Sequence, residues 1–241
     1  DAIILDLEDA VAAAAKDAAR ANLSTVFTEL PIIVRVNASS TPWHEADLAA
    51  ARAAGAAAVM LPKAENVAEV LAVVAALPGM PVVALIETAR GVAAARAIAA
   101  VPGIHRLAFG SIDYCADLGC AHEREILLPA RLELVSASRI AGIAAPLDGV
   151  TTALGDLAMT AADAVHARAL GMSGKLCIHP KQIPEVLRSF FPTDSELVWA
   201  SKVVNSGDGA VTVDGSMVDE PIRIRARAIL AANGNFQSGR D

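Results

Sequence analysis

The chain has 241 residues, of which 54% are hydrophobic and 3% aromatic, and it carries a formal net charge of −7. No uninterrupted apolar run is long enough to cross a bilayer, and an acidic balance without clustered Lys and Arg argues against nucleic acid as a partner, while leaving room for a small anionic substrate. Three cysteines, Cys115, Cys120 and Cys177, show neither a zinc spacing nor an even disulfide count, so a soluble, cytoplasmic protein is expected.

In chain order, apolar runs that end in a charged or polar residue alternate with Ala-rich helical patterns. AIILDLED (2–9) precedes a helix pattern over 12–23, IIVRVN (32–37) one over 43–54, and AAVMLPK (57–63) one over 65–77, stopped by Pro78 and Gly79. PVVALIET (81–88) leads to 89–100, RLAFGSID (106–113) to 122–142, and APLDGV (145–150) to 152–170. After GKLCIHP (174–180), Pro180 opens a helix to about residue 190, and another follows over 194–205. Residues 206–218 are rich in Gly, Asp and small residues, as in a loop or short hairpin, before a last helix over 221–233.

Nearly continuous apolar strands alternating with helices belong to a parallel sheet covered on both faces, and the length suits one α/β domain of the TIM (β/α)8 barrel type. Residues 1–205 are expected to form that barrel domain and 206–241 a C-terminal helical extension, placed to pack on a neighbouring subunit. Seven strands are legible where closure needs eight, and Asp1 already stands at a strand entrance. The expectation is a first βα unit upstream of Asp1, because an open parallel sheet leaves two edges uncovered.

A parallel barrel carries its chemistry at the strand C-termini, where this chain places Glu8, Arg35, Lys63, Glu87, Asp113, Asp148 and His179. Glu87 and Asp113 each read as ending an apolar strand. Two carboxylates converging there suit Mg²⁺, which takes one or two protein carboxylates and keeps sites for water and substrate; the alternative is that both cap helices or pair with loop arginines. Arg35 offers a planar fork to a substrate carboxylate, or else forms a buried ion pair with Glu8 or Asp6. Asn37 is placed to orient its neighbours or the substrate. In DLED, Asp6 and Glu8 share one strand face, where one of them can bond metal-bound water or Lys63, while Asp9 is expected to cap the next helix. Lys63 is a charge partner for these acids or a ligand for an anionic substrate, a reading preferred to a Schiff base. His179, before Pro180, reads as a structural hydrogen-bonding residue, and Lys175 as structural and nearer the opposite end of the barrel.

Taken together, DLEDAV (6–11), VRVN (34–37), LPKAE (61–65), IET (86–88), FGSIDY (109–114), LDGV (147–150), GKLCIHPKQI (174–183) and GSMVDEP (215–221) resemble the citrate lyase β-subunit-like branch of the HpcH/HpaI aldolase superfamily. The resemblance runs to about residue 232, and the late GKLCIHPKQI block separates this branch from the pyruvate aldolases. It implies that Glu87 and Asp113 hold Mg²⁺, that Arg35 binds the keto-acid carboxylate, and that Asp219 reaches a neighbouring subunit's site to exchange a proton with an acyl-CoA methyl. It also implies homotrimers and substrates that are CoA or acyl carrier protein thioesters of citryl, citramalyl or malyl type, cleaved to a keto acid and acetyl-CoA. The alternatives are a metal-dependent aldolase of free hydroxy-keto acids and a non-catalytic paralogue that binds acyl-CoA or a carrier. Members usually begin with a further strand and a proline- and arginine-containing turn before DLEDAV, a unit absent here.

Overall fold

The computed structural model describes residues 1–237; of the extension expected over 206–241, residues 238–241 lie outside the described residues. Seven parallel strands lie side by side in chain order: β1 (Ile3–Asp6), β2 (Ile32–Arg35), β3 (Ala58–Leu61), β4 (Val82–Ile86), β5 (Ile104–Phe109), β6 (Ala144–Asp148) and β7 (Gly174–Lys175). They are joined by α1 (Lys16–Ala21), α2 (His44–Ala53), α3 (Val67–Ala76), α4 (Ala89–Ala99), the pair α5 (Ser111–Leu118) and α6 (Arg124–Ala141), and α7 (Leu157–Ala169). Then come α8 (Ile183–Phe190), α9 (Asp194–Val204), a hairpin of β8 (Val211–Val213) and β9 (Ser216–Val218), and α10 (Glu220–Gln237).

Successive residues of β1 to β5 enter two separate apolar clusters, which explains why these strands read as almost unbroken apolar runs. Val34, Val59, Leu61, Val82, Ile86 and Phe109 pack with the helix residues Leu48, Val70, Ile98, Leu127 and Leu134. Met60, Val83, Leu85 and Ala108 pack instead with Ile4, Ile33, Leu147 and Leu176, residues of the strands or their ends. The first cluster is the helix-covered outer face and the second the concave inner face of a curled sheet. Each fully buried Val, Leu, Ile or Phe contributes about 1.5–3 kcal/mol, so the outer layer carries most of the fold's stability.

β1 and β7 are the two edges, so the described residues form a seven-stranded half-barrel. The strand count matches the sequence reading; a closed eight-stranded barrel is not formed by these residues alone. Parity along the strands decides what faces the interior. Asp6 follows the pattern of Ile4 and lies in register with Arg35, which follows Ile33, so both project from the concave face at the strand ends. Asp148 follows the concave residue Leu147 and turns to the helical side instead.

The hairpin and α10 pack on α9 around a small core of Ala200, Val203, Val218 and Ala226, flanked by Trp199, Ile222 and Ile229. The hairpin closes through Asp214 and Gly215, both at positive φ (48° and 80°), as a two-residue Asp-Gly loop requires. Arg168 of α7 meets Glu196 of α9 at 3.0 Å and ties this unit to the sheet domain. Trp199, Ala200 and Val203 of α9 supply one wall of this small core.

Candidate active site

Opposite charges meet where β1, β2 and β3 end. Arg35 donates through Nε to Asp6 Oδ1 at 2.7 Å and through its NH2 nitrogen to Oδ2 at 2.6 Å, while its NH1 nitrogen lies 3.1 Å from Glu8 Oε2. Lys63 Nζ donates to the other oxygen of Glu8 at 2.8 Å. Burial works to raise Asp6, but Arg35, together with the backbone N–H groups of Glu8 and Ala10, outweighs it and holds the carboxyl below its ordinary range. Glu8, only 5% exposed, is pushed the other way by burial despite Lys63 and Arg35. Asp9 does not cap a helix: it is exposed and 3.9 Å from Arg35, and Asp6 receives the backbone donors of that turn.

Glu87 stands directly after β4 and is 1% exposed. Its Oε1 accepts the backbone N–H of Lys63 at 2.8 Å, and its Oε2 has no hydrogen-bond partner among the described residues. Burial, reinforced by the charges of Glu8 and Asp113, pushes Glu87 up to about 8. Gly110 makes room for this side chain, since a Cβ there would lie 2.4 Å from both Glu87 Cβ and Oε2. Lys63 reaches Glu87 from a left-handed backbone conformation, φ 48°, which costs a lysine on the order of 1 kcal/mol and is maintained by its surroundings. Asp113 does not end a strand. β5 stops at Phe109, and Asp113 lies half-buried in the first turn of α5, close enough to raise Glu87.

Two neighbouring carboxylates, one of them pushed toward its protonated form chiefly by burial and further by the charges of Glu8 and Asp113, are a donor set that fits a hard divalent cation. Among the described residues no group of three or more acidic, His or Cys side chains forms a metal cluster, so a cation here would be completed by water and substrate. A pH effect on the metal-free fold follows from Glu87. Its folded value lies above the ordinary 4.5, so its contribution to stability is complete below about pH 4.5 and is lost as pH rises through about 8. Glu87→Gln removes that loss. Thermal unfolding in chelator should show the variant gaining on the parent between about pH 5.5 and pH 9, by on the order of 3–5 kcal/mol at the alkaline end. A difference that does not change with pH would mean that Glu87 is ionised at no cost.

Beneath these groups lies a buried polar layer that the sequence reading missed. Lys16 Nζ donates to the carbonyls of Leu7 and Glu8 and to Asn37 Oδ1, each at 2.7 Å. Asn37 Nδ2 donates to Leu7 O at 2.8 Å and Asp47 Oδ2 at 2.6 Å, Arg20 bonds the other Asp47 oxygen, and His44 Nδ1 meets Asn37 O at 2.7 Å. Asn37 thus spends its amide on protein partners and positions the ends of β1 and β2; it is not presented to substrate. The available signal was Lys16 itself, the one lysine in the run AAAAKDAAR.

The remaining candidates lie apart from this group. Asp148 is fully buried on the outer side, 2.8 Å from Arg131 Nε and 3.6 Å from Lys175 Nζ. Lys175 pairs in register with Asp148 and bonds Gly149 O, so it stands at the C-terminal end of the strands and not at the opposite end. His179 Nδ1 accepts from Lys181 N at 3.1 Å and caps a 3₁₀ turn. Asp219 belongs to the C-terminal unit, where its Oδ1 accepts from Ile222 N at 3.4 Å at the start of α10. The structure brings together Asp6, Glu8, Arg35, Lys63, Glu87 and Asp113.

Comparison with known proteins gives a consistent result. A family model described as HpcH/HpaI aldolase/citrate lyase matches residues 1–180. A citrate lyase subunit beta-like protein of Deinococcus radiodurans is 39% identical over 254 residues, covering 96% of this chain and 88% of that protein. A (3S)-malyl-CoA thioesterase of Cereibacter sphaeroides is 36% identical, covering 96% and 86%. Among solved structures, CitE from Mycobacterium tuberculosis in complex with magnesium, acetoacetate and coenzyme A superposes with a TM-score of 0.87 at 34% identity, covering 97% of this chain and 90% of that one.

Proposed function

Because the chain belongs to the HpcH/HpaI aldolase/citrate lyase family, we propose that it is a magnesium-dependent carbon–carbon lyase acting on a short 3-hydroxyacyl thioester of citryl, citramalyl or malyl type. The products are a keto acid and acetyl-CoA, with an acyl carrier protein as the alternative bearer of the acyl group. The observation that carries this reading is the juxtaposition of a fixed guanidinium, Arg35, with the carboxylate pair Glu87 and Asp113 at one end of a parallel sheet. The magnesium-bound and CoA-bound relative supports it.

Glu87 and Asp113 would hold Mg²⁺, which as a Lewis acid stabilises charge on an oxygen at the bond that breaks. Asp6 grips Arg35 through Nε and one terminal nitrogen, leaving the NH1 edge, now facing Glu8, for the substrate carboxylate. Glu8 remains paired with Lys63, so its charge is compensated when substrate takes over that edge. Orientation by a rigid fork keeps the reacting atoms aligned. Asp219, from a neighbouring subunit of a homotrimer, returns a proton to the departing thioester enolate, with the C-terminal extension crossing between subunits. Asp148, bound to Arg131, and His179, capping its turn, support the barrel rim without touching substrate. The thioesterase relative favours a second reading for the same site, hydrolysis of the thioester.

Arg35→Lys tests the carboxylate assignment, because it keeps the charge and removes the fork. Calorimetric titration with oxaloacetate, pyruvate and glyoxylate in the presence of Mg²⁺ should show affinity weakened about tenfold or more. Parent-like affinity would leave Arg35 as a structural partner of Asp6.

A further inference from the structure

We propose that Lys63 is a positioning residue whose backbone N–H, and not its ammonium, selects which oxygen of Glu87 is offered to a cation. The inference rests on the reading of Glu87 and Asp113 as the metal pair. The Lys63 N–H holds Glu87 Oε1 at 2.8 Å, and Oε2 has no hydrogen-bond partner among the described residues. Oε2 points to the β5–α5 turn, for it lies 2.4 Å from where a Gly110 Cβ would be, and Asp113 follows three residues later. A carboxylate pinned by one oxygen and free at the other is prepared as a one-oxygen ligand, with its orientation set before the cation arrives.

The backbone makes this contact from φ 48°, a conformation in which a lysine persists only where its surroundings impose it. The ammonium is occupied elsewhere, 2.8 Å from Glu8 Oε1, and its side chain is 42% exposed. Lys63 therefore has two separable ends: one on Glu87 through the main chain, one on Glu8 through the side chain. A β-branched residue resists positive φ and would swing the N–H away from Glu87, whereas glycine adopts it freely and methionine tolerates it as lysine does while lacking the charge.

The test is Mg²⁺ affinity, measured by calorimetry on the full chain, beside the unfolding temperature of each variant. Lys63→Met and Lys63→Gly should bind Mg²⁺ within about threefold of the parent, while Lys63→Val should bind it about tenfold or more weakly. Gly110→Ala, which presses on both Glu87 Cβ and Oε2 without altering Lys63, should show the same loss, and Lys63→Thr, β-branched like valine but polar at this half-exposed position, covers the case in which Lys63→Val fails to fold. A methionine variant as weak as the valine variant would assign the effect to the ammonium and overturn the proposal, as would parent-like Mg²⁺ binding by Lys63→Val or Gly110→Ala. If Glu87→Gln binds Mg²⁺ as the parent does, the metal reading itself fails; if Glu87→Gln loses binding and the Lys63 and Gly110 variants do not, only the positioning role fails.

Discussion

Glu87→Gln and Asp113→Asn should each reduce magnesium-dependent turnover by about 10³-fold or more while the chain remains folded, because a cation that stabilises developing charge supplies several kcal/mol to the barrier. Folding should survive for different reasons at the two positions. Glu87 is buried at a cost that its amide isostere does not incur, and the glutamine oxygen can still accept from the Lys63 N–H. Asp113 is half-buried in a helix's first turn, where asparagine is tolerated. Turnover and thermal unfolding of the same preparations check both parts. A variant that keeps substantial Mg²⁺-dependent activity would remove its residue from the metal site.

The second large effect is a recovery of activity on mixing. Asp219 caps α10 in a unit built on α9, whereas Arg35 lies on the concave face at the strand ends. If Asp219 serves the site of a neighbour, each site combines Arg35 of one chain with Asp219 of another. Arg35→Ala and Asp219→Ala chains, each inactive alone, should then regain activity when mixed under conditions that exchange subunits. Random equal mixing in a closed ring places both intact residues in about a quarter of the sites, so about a quarter of parent activity is expected. No recovery in oligomers shown to have exchanged would place Asp219 outside its neighbour's site.

Much of the architecture was legible because a two-sided parallel sheet imprints itself on sequence. PVVALIET and AAVMLPK are apolar at every strand position because alternate residues face the helices (Val82, Ala84, Ile86; Val59, Leu61) and the interior (Val83, Leu85; Met60). The same redundancy hid the facing of the residues at the strand ends. With both faces apolar, nothing in APLDGV reveals that Asp148 turns outward to Arg131, or that Lys175 joins it there. Asp113 read as a strand terminus because Ile112 extends the apolar run RLAF toward it in the sequence; that the strand stops at Phe109 and a helix starts at Ser111, with Gly110 leaving room for the distant Glu87, shows only in the fold. The Lys16 layer escaped notice for a related reason. In an Ala-rich helix a lone lysine normally faces solvent, and only the fold shows three acceptors converging on it. The left-handed backbone of Lys63 likewise arises from what surrounds it and has no local sequence sign.

The proposed activity is magnesium-dependent cleavage of a carbon–carbon bond in a thioester. Citryl-, citramalyl- and malyl-CoA, assayed for keto-acid release with Mg²⁺ and again with excess chelator, test it most directly. At least one of the three should yield a keto acid and acetyl-CoA in equal amounts, and chelation should abolish the reaction. Cleavage of free hydroxy-keto acids with none of the thioesters split, or keto-acid release undiminished by chelator, would contradict it.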